Sequence, residues 1–142
     1  MKNNSIVPGF DDEKDKHLKI QLQKIDRRAG CLVLYLNGHF GVQSTQLFQK
    51  RLAKAIEWGY VRLIFHFAKM DFRWPDDDEL REAITDFIGS LAAFIKAVKP
   101  RGGAVVLIEV PPDFYELLQL IGFEDYFNIK ENLKEAVSFF AQ

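Results

Sequence analysis

Three histidines are the first residues to test for chemistry, because an imidazole can act as an acid, a base or a metal ligand near neutral pH. His17, His39 and His66 are scattered, without an i, i+4 partner or neighbouring cysteines. This spacing argues against a zinc site, and we expect no metal and no cofactor. His66 lies in an apolar run, so we interpret it as a histidine that is hydrogen-bonded near a strand end rather than as a catalytic base.

Other reactive groups also favour structural roles. Cys31 stands in an apolar run, which is typical of a buried thiol. The segment 99–103 is basic and rich in glycine, but it follows a predicted helix instead of opening one, so it lacks the N-terminus that binds phosphate. No GxGxxG or GxxxxGK[ST] loop occurs in the sequence. We therefore expect that the protein is not an enzyme.

Composition narrows the class of protein further. The chain has 142 residues, which suits one domain, and it is 48% hydrophobic with 13 Phe, enough for a sizeable core. Its 19 basic and 20 acidic side chains leave a net charge of −1, which argues against a general nucleic-acid partner. The sequence lacks an apolar run of about 18 residues, and its polar start does not resemble a signal peptide. We expect a cytoplasmic protein.

The elements that must position these residues follow from hydrophobic periodicity. Residues 1–16 are predicted to be a flexible lead-in, in which only Ile6, Val7 and Phe10 can dock, and residues 17–142 form the domain. Strands are predicted at 19–25, 31–36, 61–67, 104–110 and 126–129, and helices begin near residues 44, 77, 112 and 133. The order β-β-α-β-α-β-α-β-α predicts a single α/β domain with a mixed, mostly parallel sheet of four to five strands, in which the first two form an antiparallel hairpin.

The longest predicted helix carries an unbroken apolar stripe at helical spacing. Asp76 with Glu79 fits a capping box, so the helix is predicted to start near Asp77 and to pass through Thr85. Thr85 then falls on the flank of the stripe and Asp86 faces solvent. The stripe consists of Leu80, Ile84, Phe87, Ile88, Leu91, Ile95 and Val98.

Five segments, in order, resemble the STAS family of anti-sigma-factor antagonists. The resemblance spans about residues 17–142 and implies the STAS fold, and as function the capture of an anti-sigma-factor kinase, which releases a sigma factor. The segments are Leu36-Asn37-Gly38, 48–51, 63–65, 88–103 and 115–129.

The resemblance also implies a phosphorylation switch, which this sequence alters. Aligned backward from Gly89, Thr85 takes the phosphoacceptor position of the family motif. Ile84, Asp86 and Phe87 replace the motif's aspartate, second hydroxyl and glycine, and about ten additional residues, 74–83, precede the acceptor. Outside the motif, His66, Ala68 and Gly41 replace the family's aspartate, serine and aspartate.

We therefore predict a non-catalytic interaction module for an anti-sigma factor or serine kinase-like partner, with a degenerate phospho-switch. Two alternatives stay open: an unphosphorylated STAS scaffold in another signalling complex, or a small-molecule or nucleotide-binding STAS domain with a pocket walled by His66, Trp74 and residues 38–41. The predicted partner surface comprises the turn 38–43 and the start of the long helix. Its candidate residues are Gly38, His39, Phe40, Gly41, Trp74, Asp76, Asp77, Asp78 and Asp86.

Overall fold

The described part of the chain contains four helices and a five-stranded sheet. A computed structural model describes residues 6–10, 17–26, 31–39, 44–71, 78–123 and 125–141. The elements in chain order are β1 (Leu18–Asp26), β2 (Cys31–Gly38), α1 (Ser44–Glu57), β3 (Arg62–Met70), α2 (Asp78–Val98), a 3-10 turn (Lys99–Arg101), β4 (Ala104–Ile108), α3 (Pro112–Leu120), β5 (Asn128–Lys130) and α4 (Leu133–Ala141).

The sheet follows chain order, β1-β2-β3-β4-β5. β1 pairs antiparallel with β2, whereas the other three pairs are parallel. The parallel pairs require crossover connections, which α1, α2 and α3 supply. The predicted single α/β domain, its element order and its mostly parallel sheet are confirmed.

The two faces of the sheet are covered unequally. The three-helix face, which includes Leu34, Phe65 and Leu107, packs against apolar side chains of α1, α2 and α3 in one large buried cluster. The α4 face, which includes Ile64 and Val106, forms a second and smaller buried cluster with α4. Alternation along each strand sends successive side chains to opposite faces, so both clusters draw on the same strands.

The long helix α2 matches its predicted course. It runs from Asp78 to Val98 without interruption and therefore passes through Thr85. The following 3-10 turn contains Pro100, and Gly102 then adopts a left-handed φ of 77° that ends the helical segment. Of the predicted stripe, Ile95 is half-buried. The side chain of Leu80 lies outside the description, and the stripe residues that are buried are Ile84, Phe87, Ile88, Leu91 and Val98.

Part of the lead-in joins the core. Val7 and Phe10 are 0% and 2% exposed and belong to the cluster of the three-helix face. The Lys54 ammonium donates a hydrogen bond to the Gly9 carbonyl at 2.5 Å, and the Arg51 guanidinium lies 5.6 Å from the centre of the Phe10 ring. The ability of Val7 and Phe10 to dock is thus confirmed, while the boundary at residue 17 stays a prediction.

Most strand ends differ from the prediction by one to three residues, and the cause is visible for three of them. β3 continues to Met70 because its pairing with β2 resumes after a bulge. Tyr35 pairs with His66, but Asn37 pairs with Lys69. β4 stops at Ile108, since the next residue, Glu109, leaves the extended region with a φ of 53°.

β5 begins later than predicted. It starts at Asn128 instead of residue 126, because the Tyr126 amide bonds to the Phe123 carbonyl in a turn at 3.0 Å.

Candidate functional site

The structure describes five of the predicted site residues, namely Gly38, His39, Asp78, Thr85 and Asp86. The other five, Phe40, Gly41, Trp74, Asp76 and Asp77, lie outside the described residues, so the predicted capping box of Asp76 with Glu79 stays a prediction.

The turn at the end of β2 is held by both neighbouring strands. The His39 amide donates to the His17 carbonyl at 2.8 Å, and the Asp71 amide donates to the Gly38 carbonyl at 2.7 Å. Gly38 has a φ of 118°, and a Cβ there would overlap the His17 carbonyl oxygen. Only glycine fits this position without strain. The backbone next to β1 and β3 therefore fixes the positions of Gly38 and His39.

Imidazole rings meet at the same end of the sheet. The rings of His17 and His39 lie 4.8 Å apart, centre to centre, with a tilt of 48°. Both residues are exposed. The sequence distance between them hid this contact, which arises because β1 and β2 pair antiparallel and bring residue 18 opposite residue 38.

Thr85 is an exposed residue inside the helix. Its hydroxyl donates to the Arg81 carbonyl one turn earlier at 2.9 Å. Such a bond to the preceding turn is a common arrangement for a threonine within a helix. The geometry agrees with the predicted position on the flank of the buried stripe.

Acidic side chains surround Thr85 on the solvent side of α2. Asp78, Glu82 and Asp86 are exposed and follow one another at intervals of four residues, so they share one helix face. We call these three residues the acidic stripe. Arg81 forms an ion pair with Asp78 at 3.1 Å, where the Asp78 side chain is 96% exposed. Sequence reasoning overlooked Glu82, although its i+4 spacing from Asp78 would have revealed it.

Polar contacts fasten α1 to α2 next to this stripe. The Thr45 hydroxyl donates to the Ala83 carbonyl at 3.2 Å, and the Gln49 amide donates to the Ser90 hydroxyl at 2.7 Å. The Ser90 hydroxyl in turn donates to the Asp86 carbonyl at 3.0 Å. Thr45 and Gln49 lie one turn apart on α1, so the two helices are held in register at two levels. No sequence signal marks these residues, because the contacts depend on how the helices pack.

His66 lies in the middle of β3, since the strand continues to Met70, whereas the sequence predicted a place near a strand end. It is half-buried on the α4 face, and its ring centre lies 4.8 Å from that of Tyr35. Its Nδ1 accepts a long hydrogen bond from the Ala68 amide at 3.4 Å. The Tyr35 hydroxyl donates to Gln23 Oε1 at 2.8 Å. His66 is therefore part of a polar row across β1, β2 and β3.

Neither His66 nor Gly38 lines either of two clefts found among the described residues. The hypothesised pocket walled by His66, Trp74 and residues 38–41 includes residues outside the described ranges, so it stays a prediction. Cys31 is buried, as expected.

Metal and membrane features are absent from the part of the chain that is described. Its histidine, cysteine and acidic side chains form no group of three or more that could hold a metal ion. In the same part of the chain, no helix is both long enough and apolar enough to span a membrane.

Comparison with known proteins agrees with this architecture. A STAS domain family model matches residues 87–136, from the middle of α2 into α4. No curated protein matches the sequence.

Solved structures share the fold at low sequence identity. A Thermotoga maritima protein described as a candidate anti-sigma factor antagonist aligns with a TM-score of 0.72 at 15% identity, over 87% of this chain and 95% of its own. The anti-sigma factor antagonist SpoIIAA of Bacillus, unphosphorylated, aligns with a TM-score of 0.67 at 17% identity, over 87% and 96%. The murine anion transporter Slc26a9 aligns with a TM-score of 0.60 at 16% identity, over 96% of this chain but 24% of the transporter.

The chain therefore has the fold of a STAS domain. The resemblance to STAS anti-sigma-factor antagonists, inferred from five sequence segments, is confirmed by the family match and by these structures. Since the structural identities are all below a fifth, the likeness to individual proteins establishes the fold alone.

Proposed function

We propose that this protein is a non-catalytic, cytoplasmic STAS module of bacterial signalling that binds an anti-sigma factor or a serine kinase-like partner. Its phosphorylation switch is degenerate. The observation that carries the proposal is the setting of Thr85, which lies inside a continuous helix with its hydroxyl bonded to the Arg81 carbonyl.

The helix works against phosphorylation in three ways. A kinase needs the acceptor hydroxyl to be presented to its active site, whereas the Thr85 hydroxyl is held by its own helix. Glu82 is one turn away and Asp86 is adjacent, so a phosphate would add close to two negative charges beside two carboxylates. The hydroxyl also lies about two turns into the helix, beyond the first turn where the dipole favours an anion.

The same carboxylates support binding of a protein partner. In the family's switch, phosphorylation adds negative charge to this part of the surface. In this protein, the acidic stripe makes the same part of the surface negative without modification. Charged surfaces chiefly raise the rate of association and select partners of opposite charge. The turn at Gly38 and His39 gives a second contact region of fixed backbone geometry.

The experiment is affinity capture from the native host with the wild-type protein and with a charge-reversed E82K/D86K variant, followed by mass spectrometry of the partner and of Thr85. We expect the wild type to recover a kinase-like anti-sigma factor while Thr85 carries no phosphate, and the variant to recover at least about tenfold less. A matched variant, E57K/E116K, reverses two exposed carboxylates outside the stripe and should retain the partner.

Phosphate on Thr85 at high occupancy in the captured complex would overturn the proposal that the phosphorylation switch is degenerate. Equal capture by the wild type and E82K/D86K would show that the acidic stripe is not part of the binding surface. Recovery of a complex that contains no anti-sigma factor would favour the alternative, an unphosphorylated STAS adaptor. That alternative draws support from the occurrence of the same fold within a much longer transporter chain.

A further inference from the structure

A cleft of about 740 Å³ lies at the carboxyl ends of β3, β4 and β5. This volume falls within the range of about 300–1,000 Å³ that is usual for ligand-binding clefts. We call it the carboxyl-end cleft. Its walls come from the ends of β3 and β5, the connections β4–α3 and β5–α4, and the first turns of α3 and α4, so it contains neither Gly38 and His39 nor the acidic stripe.

One wall follows from an unusual backbone conformation. Glu109 has a φ of 53°, the left-handed region that side chains seldom adopt. Its amide donates to the Glu131 carbonyl at 3.3 Å, which ties the end of β4 to the end of β5. Pro111 and Pro112 then begin α3 and, with Tyr115, form an apolar wall in which Tyr115 is 39% exposed.

The other wall is acidic. Glu131 and Glu135 line it together with Ile129 and Lys130, and Glu135 Oε1 accepts a hydrogen bond from the Glu131 amide at 3.3 Å. Counting Glu109, the lining carries three carboxylates against one ammonium, that of Lys130, which lies 5.6 Å from the centre of the Phe139 ring. The charge of the lining is therefore −2, beside an apolar surface of proline and tyrosine.

We propose that the carboxyl-end cleft binds a cationic peptide segment of a partner protein, in which basic side chains alternate with apolar ones. Arginine or lysine side chains would pair with Glu109 and Glu131, and an arginine can also stack on the exposed ring of Tyr115. The apolar side chains pack on Val110 and Pro111. Charge complementarity selects this occupant, because an acidic or neutral segment would meet uncompensated carboxylates.

The test uses a fluorescein-labelled peptide of seven residues, alternating arginine and leucine, added to the full chain at 150 mM NaCl. We expect saturable binding by fluorescence anisotropy, with backbone amide shifts in NMR spectra centred on Glu109, Tyr115 and Glu131. The double variant E109Q/E131Q should bind about tenfold more weakly at least, since two charged partners are removed. The Y115A variant should weaken binding while leaving its salt dependence unchanged.

Controls separate this cleft from general attraction to acidic surface. The matched variant E57Q/D125N removes two exposed carboxylates that belong neither to this cleft nor to the acidic stripe, and it should bind the peptide as the wild type does. Equal weakening by both double variants, or amide shifts centred on α2, would overturn the proposal.

The choice of occupant is tested with spermidine, which carries positive charge without apolar side chains. Binding of spermidine as tight as that of the peptide would show that the cleft takes small cations instead. Absence of saturable peptide binding would also overturn the proposal that the carboxyl-end cleft binds a cationic peptide. None of these results depends on an anti-sigma factor, so the two proposals can fail separately.

Discussion

The two faces of the sheet differ in how they are stabilised. On the three-helix face, aromatic rings contact one another directly: Phe48 lies 4.6 Å from Phe87 and 5.7 Å from Phe65, centre to centre, and Phe67 lies 5.2 Å from Phe114. On the α4 face, the buried side chains are β-branched or small, and the aromatic residues of α4, Phe139 and Phe140, stay half-buried. Most of the hydrophobic stabilisation therefore comes from one face.

Because of this difference, the residues that stabilise the fold are different from the residues that are available for binding. The α4 face leaves the side chains of Gln21 and Gln23 exposed on β1, where a substitution alters little apolar burial. The three-helix face instead presents its functional candidates on the outer side of helices whose inner side is closely packed. Substitutions that truncate the inner side of α2 should unfold the protein, whereas substitutions on its outer side should change only binding.

The largest expected effect is that of F87A on the three-helix face. Phe87 is 0% exposed, so truncation leaves a cavity next to Phe48, and we expect a loss of about 3–5 kcal/mol in the free energy of unfolding. Urea denaturation followed by circular dichroism measures it. A loss below about 1 kcal/mol would mean that the aromatic cluster repacks and that the contrast between the faces is wrong.

A smaller effect is expected for F140A on the α4 face. The ring is half-buried against this face, so its removal should cost about 1–2 kcal/mol by the same measurement. The variant F139A gives a second measurement of how much an aromatic side chain on this face contributes to stability. If either variant destabilises the protein as much as F87A, the two faces contribute alike and the comparison fails.

The contact between Gln49 and Ser90 tests how tightly α1 is held on α2. A double-mutant cycle with Q49A, S90A and the double variant should give a coupling energy of about 0.5–1.5 kcal/mol, as is usual for a hydrogen bond that is partly buried. The matched cycle pairs Q49A with T85A, which do not touch in this arrangement and should give no coupling. Additive effects of Q49A and S90A on the free energy of unfolding would show that this hydrogen bond does not hold the two helices in register.

The smallest effect is expected for T85A. Thr85 is exposed and alanine is the better helix former, so the free energy of unfolding should change by no more than about 0.5 kcal/mol. Thermal unfolding followed by calorimetry checks this, with T45A as the contrasting threonine, since Thr45 bonds to α2 and its loss should destabilise. A large loss in T85A would show that its hydroxyl does more than bond to its own helix.

Local patterns predicted most of the fold, and the long helix shows why. Its apolar period, from Ile84 to Val98, needs only neighbouring residues to be recognised, and the helix forms through Thr85 as the pattern predicts. The bulge opposite Leu36 could not be predicted in this way, because register depends on the partner strand.

The candidate site was only partly accessible to sequence reasoning. Thr85 and Asp86 were placed correctly by helical spacing. The contacts of Thr45, Gln49 and Ser90, the tilted ring contact of His17 with His39, and the left-handed Glu109 all depend on chain segments that meet only in the folded protein. Their recognition requires coordinates.

The docked lead-in has a consequence for the order in which the protein folds during synthesis. Val7 and Phe10 are made before α1, and the Lys54 side chain that binds Gly9 follows Gly9 by 45 residues. At about 5–20 residues per second, that interval lasts about 2–9 s. The segment that contains Val7 and Phe10 therefore cannot complete its native contacts until α1 has been synthesised.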